Sequence, residues 1–209
     1  MTITADPRTF DAPVSRGSFD RSAETSAPIH PVLADRWSPR SFDAAAPIDE
    51  TALTAALEAA RWSPSAANSQ PARFIVARRG TEAFDKVAAT LMGFNSVWAT
   101  SAAVLVVGVV ATTGADGKPL RWAEYDLGQA MAHLSVQAHH DGLHVHQMGG
   151  FDVAAIAQAF DLDDTLTPVT VAAIGTLASP DALPDEILRT RESAPRTRLP
   201  LAELLLANE

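Results

Sequence analysis

Val104-Leu105-Val106-Val107-Gly108-Val109-Val110 is the most apolar piece of the chain. It is β-branched, uncharged and continuously apolar rather than alternating, so it predicts a strand covered on both faces. The turn-rich stretch Thr112-Thr113-Gly114-Ala115-Asp116-Gly117 ends it. Working outward, Arg73 to Ala77 is a short strand candidate, and a helix follows from about Thr81 to Leu91 with Phe84, Val87, Ala88 and Leu91 on one face. Further upstream, Pro47-Ile48-Asp49-Glu50 reads as a helix start with Asp49 as N-cap. Leu53, Ala56, Leu57 and Ala60 then recur at helical spacing up to Ser63-Pro64. Downstream, the longest helix runs from about Trp122 to His140, with Leu127, Met131, Leu134 and Ala138 as its inward stripe and Asp141-Gly142 as its end. Leu143 to Met148 reads as a strand, Asp152 to Phe160 as a helix capped by Asp152, and Val169 to Leu177 as a last strand. Helices and strands alternate without internal repeats, which gives an α/β or mixed α+β class.

Residues 1–31 are rich in Ser, Thr, Pro and charge and read as a flexible tail, leaving 32–209 as one domain. From Ala178 onward four prolines predict an extended arm across the surface. The 209 residues suffice for one core. A net charge of -9 argues against nucleic acid or an anionic membrane as partner, so any anion site must be local. The absence of cysteine excludes disulfides, thiolate metal sites and dithiol redox chemistry, so electrons would have to travel on a cofactor. The first twenty residues lack the pattern of a secretory signal, and the longest apolar run, Ala102 to Ala111, is half of what a membrane span needs, so a cytoplasmic protein is expected.

The chain contains no G-x-G-x-x-G, phosphate loop, H-E-x-x-H or G-x-S-x-G. His133, His139, His140, His144 and His146 cluster, and His144 and His146 would share a strand face. Gly142 breaks the helical spacing, however, and no carboxylate stands at a familiar offset, so ordinary hydrogen-bonded or surface histidines are the preferred reading over a metal site. Basic residues are scarce and grouped: Arg36-Trp37-Ser38-Pro39-Arg40 near the start, Arg196-Thr197-Arg198 near the end. Each group is either a solvated charge patch or, brought together with the other, half of a phosphate pocket, because the guanidinium fork matches two oxygens of an anion. Pro64-Ser65-Ala66-Ala67-Asn68-Ser69-Gln70-Pro71 puts small and amide residues on a stiff loop. Gln147-Met148-Gly149-Gly150-Phe151-Asp152 is either a plain strand-to-helix turn or a place where open backbone N–H groups meet a ligand.

In this order the pieces resemble the nitroreductase family of FMN enzymes over roughly residues 32–205. Arg36-Trp37-Ser38-Pro39-Arg40-Ser41-Phe42 looks like its R-x-S-x-R-x-F opening and Pro64-Ser65 to Asn68-Ser69-Gln70-Pro71 like its P-S-x-x-N-x-Q-P loop. Gly149-Gly150-Phe151-Asp152 and Arg196-x-Arg198-x-Pro200-Leu201 complete the set. The resemblance implies an α+β fold with a central, mostly antiparallel sheet flanked by helices, in an intertwined homodimer joined by the long helix and exchanged terminal segments. It also implies that Arg36, Ser38, Arg196 and Arg198 hold the FMN phosphate, that Arg40 reaches the O2/N1 side of the flavin, and that Asn95 meets the pyrimidine edge. Pro64, Ser65, Ala66 and Asn68 would come from the partner subunit, and the backbone of Gly149 or Gly150 would face N5, with Trp37 and Met148 completing the cofactor contacts. Ala72, Gln147 and Trp98 depart from the family pattern around the substrate face. The implied reaction is ping-pong: NADH or NADPH donates hydride to flavin N5, and a nitroaromatic, quinone or similar acceptor removes it, with no side chain acting as acid or base. The same pocket would also suit a flavin dehydrogenase or dehalogenase, or a flavin-binding protein without turnover.

Overall fold

The computed structural model describes residues 21–207, so two-thirds of the expected tail lies outside the described residues. The apolar run becomes β2 (Val104–Ala111), hydrogen-bonded on one side to β1 (Ala72–Arg78) and on the other to β4 (Leu166–Gly175); β3 (His144–Met148) closes an order of β1-β2-β4-β3. All three pairings are antiparallel. Successive β2 side chains serve different cores. Leu105, Val107 and Val109 join one cluster, while Val104, Val106 and Val110 join another, each at most 2 % exposed. That division is the physical reason the run shows no polar alternation.

The second cluster lies under α2 (Glu50–Arg61) and α5 (Ala123–His140), through Leu53, Ala56, Leu127, Met131 and Leu134. The first is covered by α3 (Glu82–Ala89), α4 (Asn95–Trp98), α6 (Val153–Ala159) and α7 (Glu186–Ser193), through Phe84, Val87, Trp98, Ile156 and Leu188. Caps start these helices where the sequence predicts: the Asp49 carboxylate accepts from the N–H groups of Thr51 and Ala52 at 2.9 and 3.0 Å, and that of Asp152 from Ala155 at 3.0 Å. At the far end of α5, Gly142 adopts φ +85° and donates to the His139 carbonyl, while Leu143 donates to Ala138. This left-handed termination turns the chain directly into β3.

Two expectations need correction. The last strand begins at Leu166 rather than Val169 and ends at Gly175. Pro168, which cannot donate to a ladder, is accommodated at a bulge where the register against β2 shifts between Gly108 and Val109. The C-terminal stretch is not simply an extended arm: α7 folds against the first core with Leu188 and Glu192 buried, and its start is capped by Asp185, which accepts from Ile187 and Leu188. A short α8 (Leu201–Leu204) follows. None of the four prolines falls inside α7 or α8: Pro180 and Pro184 precede α7, and Pro195 and Pro200 lie between the two helices.

Candidate functional site

The Arg36–Phe42 segment leaves α1 (Pro31–Asp35) in extended conformation and is pinned to the sheet end. Phe42 bridges to Leu177, the Ser41 carbonyl accepts from Ala178, and the Ser41 hydroxyl donates to the Ser179 carbonyl at 2.6 Å. The central residue of this clamp, Glu192, is 0 % exposed. Its carboxylate accepts from the backbone N–H of Arg40 (2.8 and 3.0 Å) and of Ser41 (3.0 Å), and stands 3.7 Å from the Arg40 guanidinium. Arg21 donates to the Glu192 carbonyl and stacks its guanidinium 4.3 Å from the Trp37 ring centre.

Arg36, Arg196 and Arg198 converge. Burial lowers the Arg36 and Arg196 guanidinium groups from their ordinary value; repulsion from Arg198 adds to both, and repulsion from Arg36 and Arg21 adds further to Arg196, with Asp35 opposing. Arg36 and Arg196 nevertheless remain charged at neutral pH. Arg196 is held in this repulsive position by 2.6 Å bonds to the carbonyls of Arg21 and Ala34. Positive charges gathered against their own repulsion form a place where an anion is favoured. Ser38 is exposed beside Trp37.

His146 connects this segment to the next part of the site. Its Nδ1 lies 2.8 Å from the Pro39 carbonyl, and its ring centre 4.6 Å from that of Trp98. Burial pushes its pKa down to about 4, so the ring is neutral at pH 7 and the Nδ1 proton is the one donated to Pro39. Trp98 ends α4, whose first residue, Asn95, donates from Nδ2 to the Gly150 carbonyl at 3.1 Å. Met92 N–H donates to the same carbonyl at 3.0 Å, and Thr170 Oγ1 to that of Met148 at 3.1 Å. A Cβ on Gly150 would stand 2.8 Å from Asn95 Nδ2; one on Gly149 would meet nothing within 4 Å. Gly150 is thus locked by close approach and Gly149 faces open space. Asn95 and the two glycines, three residues linked in the sequence only by the family resemblance, are brought together.

The Pro64–Pro71 loop is elsewhere. Ala66 N–H donates to Asp126 Oδ2 at 3.0 Å, at the beginning of α5, and Ser65 Oγ accepts from Gln70 N–H. Ala67, Asn68 and Gln70 all take φ near +50°, a concentration of left-handed backbone outside glycine. Arg36 and Arg196 act electrostatically on His139, near the other end of α5. The thirteen residue steps from Asp126 to His139 span about 20 Å at 1.5 Å per residue. Within one chain, then, Pro64, Ser65, Ala66 and Asn68 do not join the guanidinium cluster.

The histidine reading needs revision. His139 and His144 are buried, not superficial, and stack edge-to-face with centres 5.4 Å apart. His139 Nε2 and His144 Nδ1 lack hydrogen-bond partners among the described residues. Burial lowers both pKa values, to about 4 for His144. His144 and His146 meet different neighbours, and among the described residues no three His, Asp or Glu side chains could hold one metal ion. Sequence reasoning missed Glu192, Arg21, Asp126 and His146 as supports of the site. The available signal for Glu192 was the cap pattern Asp185-Glu186-Ile187-Leu188, which marks a helix start inside the proline-rich region.

The model of the nitroreductase family matches residues 33–95 and 82–176. An oxidoreductase whose crystal structure contains FMN is 36% identical and superposes with a TM-score of 0.83, covering 92% of this chain and 97% of its own. A candidate nitroreductase of Desulfovibrio desulfuricans, solved in complex with FMN, is 25% identical with a TM-score of 0.69, covering 87% of this chain and 99% of its own. An uncharacterized 15.4 kDa protein from the ask 5' region of Mycolicibacterium smegmatis is 39% identical over 139 residues, which are 63% of this chain and 92% of that protein.

Proposed function

The chain belongs to the nitroreductase family, and from that premise we propose that it is an FMN-dependent NAD(P)H oxidoreductase that works as a homodimer. The observation that carries this reading is the convergence of Arg36, Arg196 and Arg198, which burial and mutual repulsion make receptive to a doubly charged phosphate. The FMN in the structure of the 36%-identical oxidoreductase supports the choice of anion. The remaining residues fit the group: Gly149 leaves open space beside its backbone, and Asn95 is held by Gly150 with its carboxamide oxygen left to serve as an acceptor. When bound, FMN supplies hydride acceptance at N5 from NADH or NADPH and release to a nitroaromatic, quinone or similar acceptor.

The chain's own contribution is position and field. Arg36, Ser38, Arg196 and Arg198 hold the phosphate, and Trp37 and Met148 complete the cofactor contacts. Arg40 offers a positive charge where negative charge grows, and the Gly149–Gly150 backbone offers N–H groups. The separation of the Pro64–Asn68 loop from the guanidinium cluster supports a site completed by a second subunit, to which this loop contributes. Leu199, Leu201, Leu204, Leu205 and Leu206 are exposed in a single chain, as expected of an arm that packs on a partner.

The test is the absorbance spectrum of the purified protein, identification of the released chromophore, and anaerobic titration with NADH and NADPH. Bound FMN that bleaches with either nicotinamide is the expected result. Bound FMN that stays oxidised removes the reductase, and a colourless protein that takes up no added FMN removes the cofactor. Arg40→Ala is expected to retain FMN and slow its reduction; undiminished activity in that variant refutes the role given to Arg40.

A further inference from the structure

Glu192 is the one fully buried carboxylate among the described residues, and nothing in the reaction outlined above uses it. Burying a carboxylate is costly unless its oxygens are satisfied. Here the oxygens are occupied by backbone N–H groups: Oε1 by Arg40 and Ser41, Oε2 by Arg40. The Arg40 guanidinium is consequently left at 3.7 Å from Oε2, within the reach of its field but outside hydrogen-bond distance. The arginine side chain is 26 % exposed, so its N–H donors remain able to meet a ligand. A carboxylate placed to pair tightly with arginine would present two free oxygens in a bidentate contact. This one does something different: it fixes the arginine's backbone and compensates its charge without occupying its fork.

Resting on the flavin reading, we propose that Glu192 is a positioning residue that aims Arg40 at the flavin and, by partly cancelling its charge, sets the flavin's reduction potential. The field is strong because the carboxylate is buried away from water, so it is screened only weakly. Arg40 alone favours the reduced cofactor, on which negative charge accumulates; Glu192 holds that preference down. His146 fixes the other side of the same segment through the Pro39 carbonyl, so Arg40 is steadied by its own backbone and by its predecessor's.

The experiment loads the protein and its variants with FMN and reads the flavin midpoint potential spectroelectrochemically, with FMN affinity measured separately by fluorescence quenching. Glu192→Gln is expected to favour reduced over oxidised FMN about tenfold more than the parent does, which is a positive shift of about 30 mV for a two-electron couple. Arg40→Ala is expected to shift it negatively. The double variant should lie positive of Arg40→Ala by a similar interval, since the carboxylate and the guanidinium act on the flavin as opposing charges whose fields add. Glu192→Asp keeps the charge but retracts it by one methylene, giving a smaller positive shift, and it carries the same test should Glu192→Gln not fold. A carboxylate that merely anchors the loop would weaken FMN in both redox states equally and leave the potential where it was, and that result overturns the proposal. Failure of the flavin reading is distinguishable, because the unmodified protein would then bind no FMN at all.

Discussion

Two adjacent glycines illustrate how much one atom decides. Gly150 has no room for a Cβ beside Asn95 Nδ2, whereas Gly149 has open space. Gly150→Ala should push Asn95 away and break its bond to the Gly150 carbonyl, costing about 1 kcal/mol and weakening FMN. Because both changes remove one contact, Gly150→Ala combined with Asn95→Ala should cost little more than Asn95→Ala alone. Gly149→Ala should leave stability within ~0.5 kcal/mol. Urea denaturation of the set checks the order, and additive losses would contradict the shared contact. At this scale the sequence was informative where chemistry demands a rare residue type. Arginines in an acidic chain, and paired glycines before a helix cap, stand out against their surroundings. Glu192 did not, because a glutamate in a proline-rich, polar stretch looks like any solvated charge until α7 turns it inward.

Among the elements, β3 carries two histidines whose burial ties its stability to pH. His144 and His146 are both pushed to about 4 by burial, below the 6.5 of an exposed imidazole. The unfolded chain therefore takes up protons between pH 6.5 and 4 that the folded one refuses. The corresponding stability is complete above 6.5 and is lost as pH falls through that window, by up to ~3 kcal/mol per ring. His144→Leu should make the loss between pH 6.5 and 4 shallower; thermal unfolding followed across that range gives the slope, and an unchanged slope would refute the account. β2 and α5 were legible because their burial dictates composition: strand residues facing two cores must all be apolar, and a helix facing one core must be so on a stripe. The C-terminal helices were less so, since prolines mark interruptions without saying what lies between them. The left-handed backbone at Ala67, Asn68 and Gln70 left no trace in composition, because none of the three is glycine.

Considered as a whole, the molecule carries its anion-receptive cluster and its Pro64–Asn68 loop at opposite ends of one helix. If each site is made by two subunits, Arg196→Ala and Asp126→Ala, each defective in FMN binding as a pure protein, should complement when mixed and exchanged. Half of the randomly paired dimers would be mixed and each would have one intact site, so roughly a quarter of all sites should recover flavin. No recovery after confirmed exchange would mean that each chain completes its own site. The fold class could be read from the order of elements, whereas a division of the site between subunits was implied only by the family resemblance, because it depends on a distance in space that no local pattern encodes.

If the site is shared between subunits as proposed, that distance gives α5 a second role beside filling the core: its eighteen residues act as a ruler between the two half-sites. A whole-turn insertion would preserve the apolar stripe approximately, yet separate the ends by a further ~5.4 Å. Side chains along the ruler can be exchanged for others of similar shape, but in such a shared arrangement the number of residues between Asp126 and His139 cannot drift without detuning both sites of the pair at once.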